Sequence, residues 1–237
     1  MATKFLFAFI ICVVALCCTF RDKQPAFVPV VGSPYDSAYN LIKEAEVLVK
    51  EGDLVLRNGQ EFSSQLVKSF CRNDQSFSHA GLVFFRDGYP LVYHIVPSDD
   101  NPTKKLRVDS LKNFSNPRKN FGFGIYRYDL KQEEISQLRA LVETWKDKEV
   151  VFDSTFNLKT DDQMYCSEMI KKGIERTTKN RVTIPTTKPT EKEAQFFAAT
   201  LHLPIAYTSD LDVVAIDNLF VNPHCKQVRR FDFNPTK

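Results

Sequence analysis

The sequence predicts an α+β fold in which an antiparallel sheet or small barrel packs against helices, with a cysteine at the start of one helix. The sheet is indicated by Asp87-Gly88, a favoured two-residue hairpin turn between the apolar runs 82–85 and 91–93. The helix is indicated by an apolar stripe that begins at Cys166 and recurs at helical spacing. The chain has 237 residues, 43% of them hydrophobic, which is enough for one domain with a substantial core, and a second full domain is not expected.

The other elements are predicted from apolar spacing in chain order. A proline-containing lead at 24–34 precedes an amphipathic helix at 35–49 and a strand that begins after Gly52. Residues 60–70 and 132–146 also carry apolar side chains at helical spacing, whereas residues 120–129 are typical of a strand. The segment 177–191 is rich in threonine, lysine and proline, so we expect an exposed excursion that is either a lid or a plain connection.

Cys166 is the first candidate functional residue. Asp161 and Asp162 precede it as candidate helix caps, and Met169 and Ile170 place it on the inward face of its helix. The amides and the positive dipole end of a first helical turn favour an anion, so we expect a thiol pKa below the free value of ~8.5. The alternative is a small buried hydrophobe, because free cysteine is among the most buried residue types.

The hairpin predicts that two histidines lie together. If Asp87-Gly88 is a two-residue turn, Gly81 lies opposite His94, and His79 projects from the same face one diagonal step away. Glycine leaves room between them, and a diagonal separation of ~7–8 Å between backbones lets two imidazoles meet. A three-residue turn would instead place His94 on the other face.

The order of these motifs resembles the circularly permuted NlpC-type papain-like hydrolases of the YiiX and YebB group, which are related to the lecithin retinol acyltransferase-like enzymes. The histidine strand precedes the cysteine helix, as the permutation implies. The similarity covers most of the chain from about Gly52 to the mid-170s, and more weakly residues 209–231. The residues that carry it are Glu51-Gly52-Asp53-Leu54-Val55, Phe77-Ser78-His79-Ala80-Gly81-Leu82-Val83, Val92-Tyr93-His94, Phe152-Asp153 and Tyr165-Cys166-Ser167-Glu168.

The resemblance implies a circularly permuted papain-like fold with Cys166 as nucleophile, His79 as general base and His94 as the residue that orients the base. Many relatives carry glutamate where His94 stands, and relatives often show tyrosine where this chain has Phe152. The developing oxyanion needs fixed donors, for which the backbone amide of Cys166 is the first candidate. The Tyr165 hydroxyl and the Gln163 side chain are further candidates for oxyanion or substrate binding.

Three classes of function follow from these residues. The leading hypothesis is a cysteine amidase or peptidase-like hydrolase that cleaves an amide, in a cell-wall peptide or an N-acyl amide, through an acyl-thioester on Cys166. The first alternative is a thiol acyltransferase acting on lipid acyl groups. The second is a non-catalytic protein in which His79, His94 and Cys166 bind a metal such as zinc. The hydrolase hypothesis needs no cofactor and no metal, and its partner is a small-molecule, peptide or lipid amide.

The net charge and the N-terminal sequence limit the expected partners and the expected location of the protein. The net charge of +3 gives no indication of a nucleic-acid partner. Residues 1–18 are predicted to be a signal peptide and 19–237 the single hydrolase domain, because the apolar run after Lys4 is shorter than the ~20 residues of a membrane span. Ala15-Leu16-Cys17-Cys18 loosely resembles a lipoprotein cleavage box. We expect an exported protein: periplasmic or an outer-membrane lipoprotein attached through an N-terminal lipid if bacterial, otherwise secreted.

The remaining cysteines and histidines are expected to have structural or surface positions. Three of the six cysteines lie in the leader, which leaves Cys71 and Cys225 besides Cys166, either paired with each other or simply buried. His202 and His224 are expected to be packed or surface histidines rather than ligands.

Overall fold

The computed structural model describes residues 32–97 and 101–233. The chain divides into Met1–Ser33, which is described only at Gly32 and Ser33, and Pro34–Lys237, to which all elements named below belong. The predicted signal peptide and its cysteines Cys17 and Cys18 lie outside the described residues. Across the described part of the chain, no helix has the length and apolar character needed to cross a membrane.

A six-stranded antiparallel sheet forms the centre of the molecule, in the order β4-β3-β2-β1-β5-β8. This order is open, so the predicted sheet is present as a sheet rather than as a closed barrel within the described residues. Two further short strands, β6 and β7, pair in parallel. The strands are β1 (Leu54–Gly59), β2 (His79–Arg86), β3 (Tyr89–His94), β4 (Arg107–Ser110), β5 (Asn120–Tyr128), β6 (Val151–Phe152), β7 (Gln163–Met164) and β8 (Cys225–Asp232).

Helices cover both faces of the sheet, which confirms the α+β prediction. The side chains of Ala80, Leu82 and Phe84 in β2 point into a core shared with α4 and α5. Val83 and Val92 point to the opposite face, into a core shared with α1 and α3. The helices are α1 (Asp36–Leu48), α2 (Phe62–Ser69), α3 (Leu111–Phe114), α4 (Gln132–Asp147), α5 (Cys166–Thr177), α6 (Glu191–Leu201), α7 (Ile205–Ser209) and α8 (Ile216–Phe220).

The hairpin between β2 and β3 has the predicted two-residue turn. Asp87 and Gly88 have φ values of 52° and 80°, the positive angles that a tight hairpin turn requires, and Arg86 pairs with Tyr89. The register continues inward and places Gly81 beside His94. A Cβ atom on Gly81 would lie 3.2 Å from the His94 Cβ and would meet the chain of β3 still more closely, so glycine is required for this approach.

The segment 177–191 is exposed over most of its length, as predicted, but two of its apolar side chains are buried. Val182 and Ile184 are fully buried in the main core, and Thr187 pairs with Val213 through two backbone hydrogen bonds. The buried side chains of Val182 and Ile184 anchor the segment against α5, because removal of apolar surface from water stabilises the fold. The segment is therefore a mostly exposed connection that is anchored to the core, and the lid alternative stays a prediction.

Candidate active site

A cavity of about 140 Å³ brings together the predicted nucleophile and base, since both Cys166 and His79 line it. His79 is the first residue of β2, and Cys166 is the first residue of α5, which packs on that strand. The rest of the wall is predominantly apolar. It includes Leu66, Phe70, Phe152, Phe156, Phe197 and Val213.

Cys166 is a free thiol at the N-terminus of α5 and is only 8% exposed. Burial raises its pKa, although backbone N–H groups of Ala80 and Ser167 and the positive charge of Arg57 act in the opposite direction. The expectation of a lowered thiol pKa was therefore wrong. Backbone amides at the helix start do lower the thiol pKa, but removal of the thiolate from water raises it by more.

His79 is a neutral imidazole at neutral pH. Its pKa lies well below the usual value, chiefly because the ring is buried, and also because Arg57 lies nearby. Cys166 and His79 thus rest as a thiol and a neutral base rather than as a preformed ion pair. The proton of the thiol must move to the imidazole when the sulfur attacks.

A chain of hydrogen bonds runs from His79 away from the cavity. His79 Nε2 lies 2.9 Å from His94 Nδ1, and His94 Nε2 lies 3.0 Å from Asp109 Oδ2. Arg107 donates to the other carboxylate oxygen at 2.8 Å. The ring of Phe114 packs against both imidazoles, which fixes their planes. The predicted contact between the two histidines is therefore present.

This network determines which nitrogens carry protons. The pKa of Asp109 is lowered to about 2 by His94 and Arg107 despite partial burial, so its carboxylate only accepts hydrogen bonds. The pKa of His94 is lowered to about 4 by burial, so it carries one proton, which Nε2 donates to Asp109. His94 Nδ1 then accepts from His79 Nε2–H, and this assignment leaves the lone pair of His79 on Nδ1.

Asp109 and Arg57 are functional candidates that the sequence argument missed. Asp109 belongs to β4, which is separated from β3 by a long connection, so its register was not predictable from the turn. Arg57 lies on β1 directly opposite His79 and contacts the Phe114 ring and carbonyl. Its Nε is buried without a hydrogen-bond partner in the described part of the chain. A basic residue within an otherwise apolar strand was the available signal.

Tyr165 and Gln163, the other two candidates for oxyanion or substrate binding, lie in different positions. The Tyr165 hydroxyl accepts a hydrogen bond of 2.8 Å from the backbone N–H of Val214, and Ser167 donates to the Val214 carbonyl at 2.7 Å. Tyr165 therefore holds a segment of the cavity wall. Gln163 is exposed on β7 and is not part of the cavity wall. The backbone amide of Cys166 stays the predicted donor.

Asp153, two further histidines and two further cysteines that the structure describes do not line the cavity. Asp153 accepts hydrogen bonds from the backbone and hydroxyl of Thr155 and from the backbone of Asn157, which shapes the loop after β6. His202 ends α6 in a left-handed conformation, and His224 forms a surface pair with Asp129. Cys71 and Cys225 are both buried free thiols, so they are simply buried rather than paired.

The described residues offer no set of donors suited to the metal-binding alternative. Residues 32–97 and 101–233 contain no group of three or more histidine, cysteine, aspartate or glutamate side chains arranged to hold a metal ion. Both nitrogens of His94 are already engaged, by His79 and by Asp109. The residues proposed as ligands therefore do not fit a metal, and no step of the chemistry is assigned to one.

A comparison with protein families assigns the chain to a class. Residues 48–228 match the family described as permuted papain-like amidase enzymes, YaeF/YiiX, C92 family, and the chain belongs to this family. It is an enzyme of the papain-like amidase type. Among solved structures it is similar to one described as metalloprotein yiiX from Escherichia coli O157:H7, with a TM-score of 0.61 and 18% identity over 77% of this chain and 98% of that one. That likeness supports the fold alone. No curated protein sequence matches the chain.

Proposed function

We propose that this protein is a cysteine amidase that cleaves its substrate through an acyl-thioester on Cys166, with His79 as general base and acid. The observation that carries the proposal is the hydrogen-bonded chain from His79 through His94 to Asp109, which begins in the same cavity as the thiol. A thiol, a neutral imidazole and a residue that orients it are the parts that nucleophilic acyl transfer requires.

The reaction begins when the Cys166 sulfur attacks the amide carbon while its proton moves to His79 Nδ1. The imidazolium then donates that proton to the amide nitrogen, the carbon–nitrogen bond breaks, and the amine leaves. Water attacks the thioester as His79 takes a proton from it. The carbon–sulfur bond then breaks, the carboxylic acid leaves, and His79 returns the proton to the Cys166 sulfur, which regenerates the thiol. The carboxylate of Asp109, acting through His94, stabilises the imidazolium, and the charge of Arg57 stabilises the oxyanion.

The apolar cavity supports an N-acyl amide with an apolar acyl group as the substrate, in preference to a cell-wall peptide. The acyl carbon must reach Cys166, so the acyl chain extends along the aromatic and aliphatic wall that surrounds the thiol. A peptide would place polar backbone groups against the apolar part of this wall, where they lose hydrogen bonds to water, which costs free energy.

Hydrolysis of N-octanoyl amides tests the proposal. Purified protein is expected to release octanoic acid, and Cys166→Ala and His79→Ala each are expected to abolish release. Cys225→Ala is the matched control because it removes another buried free thiol, and it is expected to retain activity. Addition of an amine or alcohol acceptor separates hydrolysis from acyl transfer, since a transferase forms a new amide or ester in place of the free acid. Turnover that survives in Cys166→Ala would contradict the proposal.

We further propose that residues 1–18 act as a signal peptide that directs export. The supporting observation is the uncharged apolar run that follows Lys4. Mass spectrometry of the mature protein from its native cell is expected to find an N-terminus near residue 18, with or without a lipid on Cys17 or Cys18. A mature chain that retains Met1 would contradict this proposal.

A further inference from the structure

A second cavity, polar and of about 240 Å³, lies against the apolar one. Arg57, Glu61 and Val96 line both cavities, so the two meet at this point. The polar cavity is also lined by His94, the histidine that is hydrogen-bonded to the proposed base. The two cavities therefore adjoin at Arg57, which lies opposite His79 across β1 and β2.

The charges around the polar cavity favour an anion. Arg57, Arg107 and Lys119 line it together with two carboxylates, those of Asp109 and Glu61. Asp109 is paired with Arg107, so these two opposite charges largely offset one another in the net charge of the cavity. Among the described residues of this wall, three positive groups outnumber two carboxylates, and the side chains of Asn113 and Asn116 add neutral hydrogen-bonding groups.

Arg57 supplies a second and independent observation. Its side chain is half-buried and donates to the Phe114 carbonyl, yet its buried Nε finds no hydrogen-bond partner in the part of the chain that the structure describes. A buried donor without a partner costs free energy, and the planar guanidinium is suited to carboxylate and phosphate oxygens, which it binds with two parallel hydrogen bonds. An anionic ligand in the polar cavity would provide the missing acceptor.

We infer that the polar cavity binds an anionic group, carboxylate or phosphate, carried by the amine portion of the substrate. This inference rests on the proposed function, because it assigns the two portions of the scissile amide to the two cavities. The acyl chain occupies the apolar cavity, and the amine must lie beside His79, which protonates it. The polar cavity adjoins the apolar one at Arg57 and is also lined by His94 and Lys119.

Binding to the inactive Cys166→Ala variant tests the inference without turnover. The probes are N-octanoylglycine, N-octanoyl-phosphoethanolamine and the neutral N-octanoylglycinamide, each titrated by calorimetry. At least one anionic probe is expected to bind about tenfold or more tightly than the neutral one, the usual gain from charged hydrogen bonds. Preference for the glycine probe indicates a carboxylate source, and preference for the phosphoethanolamine probe indicates a phosphate source.

Substitutions in the Cys166→Ala background locate the effect. Arg57→Gln is expected to remove the preference for the anionic probe, and Lys119→Gln is expected to reduce it. Lys112→Gln is the matched control, because Lys112 lies on α3 outside the polar cavity and packs over Tyr39. Lys119 is exposed, so its substitution tests the inference even if Arg57→Gln fails to fold.

Different results would overturn the anion site and the proposed amidase function. Equal binding of the anionic and neutral probes would overturn the anion site, whatever the wild-type enzyme hydrolyses. A preference that persists in both Arg57→Gln and Lys119→Gln would also overturn it. If the proposed amidase function alone is wrong, the wild-type protein hydrolyses none of the three amides while the binding preference remains.

Discussion

Asp109→Asn tests how strongly the hydrogen-bonded chain supports His79. The carboxylate lies about 8 Å from the His79 ring, given two hydrogen bonds of 3.0 and 2.9 Å and the width of the intervening imidazole. At an effective dielectric constant of about 20, a unit charge at that distance stabilises the imidazolium by about 2 kcal/mol, or roughly 30-fold in rate. Loss of that charge is therefore expected to lower kcat/KM by roughly 30-fold.

A change of tautomer would enlarge this effect. An asparagine amide turned to donate to His94 Nε2 would move the His94 proton to Nδ1 and the His79 proton to its own Nδ1, which would remove the lone pair that accepts from the thiol. The assay is hydrolysis of an N-octanoyl amide, measured as kcat/KM from pH 5 to 9.

Asp129→Asn is the matched control for Asp109→Asn, because Asp129 also pairs with one histidine, His224, and one arginine, Arg181, but on the surface. Its kcat/KM is expected to equal that of the wild type. An Asp109→Asn enzyme within twofold of the wild type, with the same pH profile, would refute the reasoning that His94 transmits the charge of Asp109 to the base.

Three further predictions concern the same cavity and its helix. His94→Ala is expected to lower kcat/KM less than His79→Ala does, because water can partly replace an orienting residue but not the base; equal losses would contradict this. Iodoacetamide labelling of Cys166, mapped by mass spectrometry, is expected to rise steeply only above neutral pH, since burial raises the thiol pKa and the His79 imidazole is neutral; a plateau already reached below pH 7 would indicate an ion pair instead. Burial also raises the pKa of Glu168 to about 7. The folded state therefore holds this proton more tightly than the unfolded state, so stability present at low pH is lost, by roughly 3 kcal/mol at most, as pH rises from about 4.5 through 7. Urea unfolding of Glu168→Gln is expected to lack this decline; an unchanged decline would assign it to other groups.

Local sequence signals predicted the parts of the molecule that depend on neighbours along the chain. The turn Asp87-Gly88 fixed the register of β2 and β3, and that register alone brought His79 and His94 together. The helix that begins at Cys166 followed from its apolar stripe. These features require no knowledge of distant contacts.

The features that sequence reasoning missed depend on distant contacts. Asp109 meets His94 because β4 pairs with β3 after a long connection, whose length sets no register. The pKa of Cys166 depends on how much protein covers the thiol, which a helix position does not reveal. The Tyr165 hydroxyl was not predictable as a partner of Val214, a residue about fifty positions further along the chain.

The acyl-thioester on Cys166 is the central claim, and its direct detection is the decisive measurement. The wild-type protein is mixed with an N-octanoyl amide that has an activated leaving amine, quenched in acid within the first turnover, and digested for mass spectrometry. An octanoyl group on the Cys166 peptide, absent from Cys166→Ala and labile to hydroxylamine, is the expected result. Octanoic acid release without any such adduct, or an adduct on Cys71 or Cys225, would contradict the account.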